Sequence, residues 1–273
     1  MPRNAAVEAH HFEALGTSCS LFGVGVSRTD LVRGELWVRK LGARVTRFSD
    51  RSELAALNRA DGEWADVSPE MAALLREALR AYELSGGLVN AAVLPSMLAI
   101  GYTRPLAEGT PIASVAVVHP APRLVDVLAV RRGRARLERG CGLDLGGVAK
   151  GWMADRLAAQ LGSNSLANLG GDLYAAGQGP GGGGWPVGFG GKTVMLRDQG
   201  AATSSVRKRR WGALHHLIDP RTGLPSNSGL EEVSVVAATA CDAEIVAKTA
   251  LLLGPGVATA FCAAHAQAWR FGR

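Results

Sequence analysis

The sequence predicts an α+β fold in which antiparallel sheets carry helices packed outside them. Short apolar runs of strand type follow one another with turn-length gaps marked by Gly and Pro, the spacing of antiparallel strands. Helical stripes interrupt them without a regular βαβ rhythm. Glycine is abundant, 35 of 273 residues, whereas aromatics make up only 5%. That composition suits tight turns and close backbone approaches, including approach to a ligand.

Residues 1–10 read as a disordered tail and 11–273 as a single domain. Phe12 to Val26 is strand material broken at Gly16-Thr17. Apolar positions Leu31, Leu36, Val38, Leu41 and Val45 predict a helix over 29–46, with Asp30 as its N-cap. A second helix starts at Ser68 with Pro69 in its first turn. It carries Met71, Leu74, Leu75, Ala78, Leu79 and Tyr82 on one stripe and stops at Gly86-Gly87. Pro105 and Gly109-Thr110-Pro111 mark a break in composition. Ser114–Val118, Arg123–Val130 and Ala135–Glu138 read as strands. A helix over 148–161 follows, then strands over 165–169 and 172–176 around Gly170-Gly171. Gly179 to Gly184 reads as a hairpin tip rather than a phosphate cradle, because no Lys-Ser/Thr follows at Walker spacing. Strands are expected over 194–196, 201–204, 214–218 and 232–238, and a last helix over 240–253.

A hydrophobic share of 47% with 20% charged residues excludes a disordered chain, a coiled coil and a collagen. No apolar run reaches the ~18 residues that a membrane-spanning helix needs. The net charge of +6 fits an anionic partner such as a nucleotide as well as plain solubility. The basic runs Arg131-Arg132-Gly133-Arg134 and Arg207-Lys208-Arg209-Arg210 come without zinc-finger or RNA-binding spacing. They read as solvated turns, and no nucleic-acid partner is expected. Cys19, Cys141, Cys241 and Cys262 form no CxxC pair. The first residues lack an apolar leader core, so a cytoplasmic setting with free buried thiols is expected.

Three segments carry chemistry. The first is Asp144-Leu145-Gly146-Gly147-Val148-Ala149-Lys150-Gly151-Trp152, with Asp155 one turn on. Two glycines before a helix let backbone approach a ligand, and the free N–H groups of the first turn favour an anion. Lys150 adds a mobile positive charge, and Asp155 is placed to accept from a ribose, an adenine amine or Lys150. A plain strand-to-helix turn with a surface lysine explains the same residues equally well. The second segment, Asn168-Leu169-Gly170-Gly171-Asp172, admits a ring or phosphate against bare backbone, or is a β-bulge. The third is His216-Leu217-Ile218-Asp219-Pro220-Arg221-Thr222-Gly223. A strand-end histidine can act as acid or base near neutral pH, although a lone histidine is more often structural. His215 points the other way, so one of the two faces a site.

Taken together, these segments resemble the ApbE family of FAD:protein FMN transferases, from about Phe12 to Gly254. The resemblance rests on Leu15-Gly16-Thr17, Arg47-Phe48, Ser52-Glu53-Leu54 and Leu57-Asn58-Arg59. It rests further on the DLGGVAKG, GGD and ATS segments and on HLIDPRTG. It implies an ApbE-like, T-fold-related α+β architecture and an enzyme that moves the FMN half of FAD to a Thr or Ser of a target flavoprotein, releasing AMP. An FAD pyrophosphatase and a non-catalytic FAD-binding protein are the alternatives. By motif position, His216 and Lys150 would be catalytic. Gly16, Thr17, Asn90, Gly147, Asp155, Gly170, Gly171 and Asp172 would contact the cofactor, as would Ser204, Ile218, Asp219 and Thr222.

The family is expected to hold magnesium through the Ala carbonyl of GGVAKG, here Ala149, and an Asp and Thr four residues apart in the last helix. At those two places this chain has Glu244 and Lys248. A lysine ammonium is no metal ligand and repels a nearby cation. Lys248, held by Glu244, is expected to take the ion's place against the pyrophosphate. Two further departures are Leu88-Val89-Asn90-Ala91-Ala92-Val93, where the family often has an aromatic-Asp-Pro-Thr-Val, and Ser205 in place of a Gly.

Overall fold

The computed structural model describes residues 6–109, 112–113, 117–189 and 191–272. β1 (Val7–Ala14) and β2 (Thr17–Val24) form a hairpin paired from Val7↔Val24 to Ala14↔Thr17. The expected tail is therefore strand from Val7 onward. Pairing with β2 satisfies its backbone, which its polar composition does not reveal. Helix α1 (Arg28–Val45) is capped by Ser27, not Asp30. The Ser27 hydroxyl accepts from the Asp30 N–H at 3.2 Å and donates to its carboxylate at 2.6 Å, a reciprocal cap that places Asp30 in the first turn. Leu31, Val38, Leu41 and Val45 are buried as expected, whereas Leu36 is exposed.

α2 (Glu53–Asn58) and β3 (Trp64–Asp66) lead to α3 (Pro69–Leu84), whose N-cap Ser68 accepts from the Met71 N–H. A 3-10 turn over Ala91–Val93 runs into α4 (Leu94–Ala99). Residues 123–130 are half strand: α5 (Leu124–Val127) is a helical turn that passes into β4 (Leu128–Arg131), paired with β5 (Arg134–Leu137). Val117 and Val118 lie in no strand, because β-branched residues need a neighbouring edge to pair with. Residues 114–116 of that expected strand, and Thr110-Pro111 of the composition break, fall outside the described residues.

α6 (Ala149–Leu161), β6 (Ser165–Leu169) and β7 (Asp172–Ala176) match expectation. The glycine-rich run is a loop leading to the hairpin of β8 (Trp185–Phe189) and β9 (Lys192–Leu196), of which only the end of β9 is expected from sequence. β10 (Gln199–Ser205) follows. The strand expected over 214–218 is broken. β11 (Arg210–Trp211) pairs with β12 (Leu214–His215), and β13 (Ile218–Asp219) pairs with β14 (Leu224–Pro225), leaving His216 and Leu217 in the bend between. The chain closes with β15 (Glu232–Ala237), α7 (Ala240–Leu253), α8 (Pro255–His265) and β16 (Ala268–Gly272).

The main sheet has seven antiparallel strands in the order β1-β2-β6-β7-β10-β15-β16, and β3-β5-β4 form a smaller one. Alternation along the strands sorts the two faces. Leu21, Ala167 and Leu169 join the core under α1, α3 and α6, while Val233 and Val235 lie under α7 and α8. Leu166, Leu173 and Val236 face the other way, beneath the β8–β9 hairpin. Each fully buried leucine contributes about 1.5–3 kcal/mol.

Gly151 belongs to this packing and not to a ligand. A Cβ there would lie 2.6 Å from the Ala240 carbonyl oxygen and 2.7 Å from the Cys241 Cα. Both are backbone atoms and cannot swing aside. Gly151→Ala is expected to destabilise the fold by about 1–3 kcal/mol, read as a lowered urea midpoint; an unchanged midpoint would refute the close helix contact.

Candidate functional site

One cavity of about 510 Å³ opens beside the helix-covered face of the sheet. Its wall comes from the β1–β2 turn, the end of α1, the link before α4, the start of α6, the His216 bend and α7.

The turn into α6 is held from several sides. Asn58 brackets Leu143, donating to its carbonyl at 3.0 Å and accepting from its N–H at 2.8 Å. One Asp144 oxygen accepts from the Gly146 N–H at 2.8 Å and the other from Arg47 Nε at 2.6 Å. The Arg47 side chain is only 3% exposed, and its guanidinium lies over the rings of Phe48 and Tyr102 at 4.1 and 4.6 Å. Tyr102 in turn stacks on Trp211, with ring centroids 5.0 Å apart.

Behind the wall lies a buried charge network. Glu244 Oε2 accepts from the Gly151 N–H at 2.9 Å, so a carboxylate from α7 stabilises the positive end of α6. Its Oε1 accepts from Lys150 Nζ at 3.2 Å, and Lys150 also pairs with Asp172. Burial lowers the Lys150 ammonium to about 8, against the pull of Glu244. Burial alone would raise Glu244, but the charges of Lys150 and Lys248 hold it below the usual carboxylate range. The reverse contact runs from α6 to α7. Asp155 accepts from the Ala240 and Cys241 N–H groups at 2.7 and 3.0 Å. Each helix therefore supplies the carboxylate that caps the other.

Lys248 and His216 complete the wall. Lys248 Nζ sits over bare backbone, since a Cβ on Gly147 would lie 2.6 Å from it. Burial lowers this ammonium, and Arg209 adds to the effect. His216 is pushed well below 6.5, first by burial and then by Arg209 and Lys248, so its imidazole is uncharged at neutral pH. Its Nδ1 is buried and has no hydrogen-bond partner among the described residues. His215 instead turns inward, where its Nε2 meets the Ser226 carbonyl at 3.0 Å, so one histidine of the pair faces the cavity.

The expected site residues divide into two groups. Gly16, Asn90, Gly147 and Ala149 line the cavity, together with Lys150, His216, Ile218 and Lys248. The Asn90 side chain is spent on its own turn, donating to the Pro122 carbonyl and accepting from the Ala92 N–H. The others stand off the wall. Asp155 is a helix cap, its carboxyl raised to about 6 chiefly by burial. Gly170 and Gly171, with φ of 76° and 100°, form the tight β6–β7 turn, and Thr17 packs against Gly170. Asp172 and Glu244 are buried behind Lys150. Ser204 is buried in β10, Asp219 is bonded to Arg221, and Thr222 bonds its own turn.

Arg209 is a wall residue that sequence reasoning places in solvent. Arg207, Lys208 and Arg210 are indeed exposed, but Arg209 has φ 51° and lines the cavity. Its carbonyl accepts from the His216 N–H at 3.3 Å. Arg47, part of a motif but given no role of its own, and Tyr102 are two further wall residues without an expected role.

The donor set does not suit a divalent cation. Both Glu244 oxygens are committed to Lys150 and Gly151, and the Lys248 ammonium stands beside Gly147. No group of three His, Cys, Asp or Glu among the described residues is placed to hold an ion. The four cysteines are free thiols, and among the described residues no helix is long and apolar enough to cross a membrane.

The chain is similar to the FAD:protein FMN transferase of Treponema pallidum (strain Nichols), 32% identical over 238 residues. It is also similar to that of Klebsiella pneumoniae (strain 342), 33% identical over 148 residues. These matches span 75% and 47% of this chain, and 66% and 43% of the relatives' lengths. Among solved structures, the fold resembles the Pseudomonas stutzeri flavinyl transferase ApbE in its apo form, with a TM-score of 0.80 at 21% identity over 94% of this chain and 87% of that one. It also resembles the Thermotoga maritima ApbE protein, with a TM-score of 0.78 at 23% identity over 91% and 87%. The sequence pattern of the ApbE family matches residues 15–270, from the β1–β2 turn to β16, and the chain belongs to that family.

Proposed function

We propose that the chain transfers the FMN moiety of FAD to a Thr or Ser hydroxyl of a target flavoprotein and releases AMP. One observation carries the reading: a single cavity joins an uncharged His216 imidazole to Lys248 and Arg209, cations without a carboxylate partner at bonding distance among the described residues. Apolar neighbours such as Val89, Met97 and Leu217 line the same volume and suit a flavin ring.

In this reading the acceptor oxygen attacks the phosphorus on the FMN side. A new P–O bond forms, the P–O bond to the AMP side breaks, and the hydroxyl proton passes to His216. Catalysis is then largely positioning and stabilisation of phosphoryl oxygens. Lys150 lines the cavity and, through Glu244, is tied to the N-terminus of α6, where anions are favoured. The similarity to FAD:protein FMN transferases supports the substrate assignment.

The test is incubation with FAD and a protein extract of the source cells, with AMP and covalently fluorescent protein both measured. The transferase reading expects the two in equal amounts. AMP without labelled protein indicates hydrolysis of FAD, bound flavin without AMP indicates a binding protein, and no bound flavin refutes the whole reading.

A further inference from the structure

We propose that this chain neutralises the FAD pyrophosphate with two of its own side chains, Lys248 and Arg209, and binds FAD without a divalent cation. The inference rests on the flavin reading above and names what supplies the charge.

The first support is the seat of Lys248. Its ammonium lies on the bare backbone of the turn into α6, so close that a methyl group on Gly147 would collide with it. Glu244, four residues earlier, shares its helix face. The Glu244 oxygens nevertheless go to Lys150 and the Gly151 N–H, which leaves the Lys248 ammonium to the cavity.

The second support is Arg209. It is the member of the Arg207–Arg210 run that turns inward, and it does so in a left-handed conformation that non-glycine residues adopt under strain. Its side chain makes no hydrogen bond or ion pair among the described residues, while its charge acts on Lys150, His216 and Lys248.

The third support is arithmetic and chemical. Two monovalent cations carry the formal charge of one divalent ion, and an ion placed beside them would be repelled. A guanidinium fork grips two phosphate oxygens, and an ammonium serves as a point charge. The pair therefore suits a diphosphate, and the donor set around it does not suit a metal.

Calorimetric titration of FAD and of riboflavin, each in EDTA and in magnesium, tests this. The wild type is expected to bind FAD equally in both. Lys248→Met and Arg209→Gln are each expected to weaken FAD about tenfold or more. Riboflavin, which lacks phosphates, should bind these variants as it binds the wild type. Magnesium tightening wild-type FAD binding tenfold, or variants binding FAD unchanged, would overturn the proposal and leave the flavin reading standing. Failure of the wild type to bind either compound would overturn both. If Lys248→Met does not fold, Gly147→Ala reaches the same ammonium from the other side. It is expected to weaken FAD binding with little effect on thermal unfolding, and unweakened FAD binding would overturn the proposal.

Discussion

Glu244→Ala is expected to cost about 3–5 kcal/mol of stability. The carboxylate is buried, accepts from the Gly151 N–H and Lys150, and lies within electrostatic reach of Lys248. Its loss leaves Lys150 with Asp172 as its one bonded carboxylate, removes the charge that acts most strongly on Lys248, and leaves a buried N–H without an acceptor. The effect depends on pH in a defined direction. Glu244 is held below 4.5 in the folded chain, so its contribution is complete above that value and is lost as pH falls through the folded one. The gap between wild type and variant in urea unfolding is therefore expected to narrow below pH 4.5. A gap that stays constant into acid would show that the carboxylate's charge is not what matters.

His216→Ala is expected to lower the rate of FMN transfer by about 10²–10⁴-fold, with FAD binding retained. The pH profile separates proton transfer from mere cavity filling. His216 lies well below 6.5, because burial and the neighbouring cations disfavour its charged form. It therefore remains a competent base where an ordinary histidine is already protonated. Wild-type kcat/KM, which reports the free enzyme, is expected to show no fall as pH drops from 7 through 6.5. A fall centred at 6.5, or an alanine variant as fast as wild type, would remove His216 from the chemistry.

Much of the fold was legible because its signals are local. Ser68-Pro69 before an apolar stripe marks the start of α3, and the glycine pair after β6 forces a tight turn. Elements held by distant partners were not legible. β1 begins at Val7 because β2 pairs with it, and the 123–130 run divides into a helical turn and a strand because β5 reaches only its second half. The site shows the same division. Gly147, Lys150 and His216 sit in contiguous motifs, and the cavity brings them together. The capping role of Asp155 is not legible in its motif, because its donors lie 85 and 86 residues away. Arg209 was missed because the direction of its side chain depends on the sign of one φ angle, which a run of basic residues does not encode.

The exchange of carboxylates between α6 and α7 has a mechanical consequence. Asp155 and Glu244 bond across the place where the first turns of the two helices meet, so sliding or splaying either helix would unseat a buried anion. The two helices act as a single jaw with a fixed gauge. On the transferase reading, the acceptor hydroxyl would therefore meet a fixed wall on the α6–α7 side of the cavity.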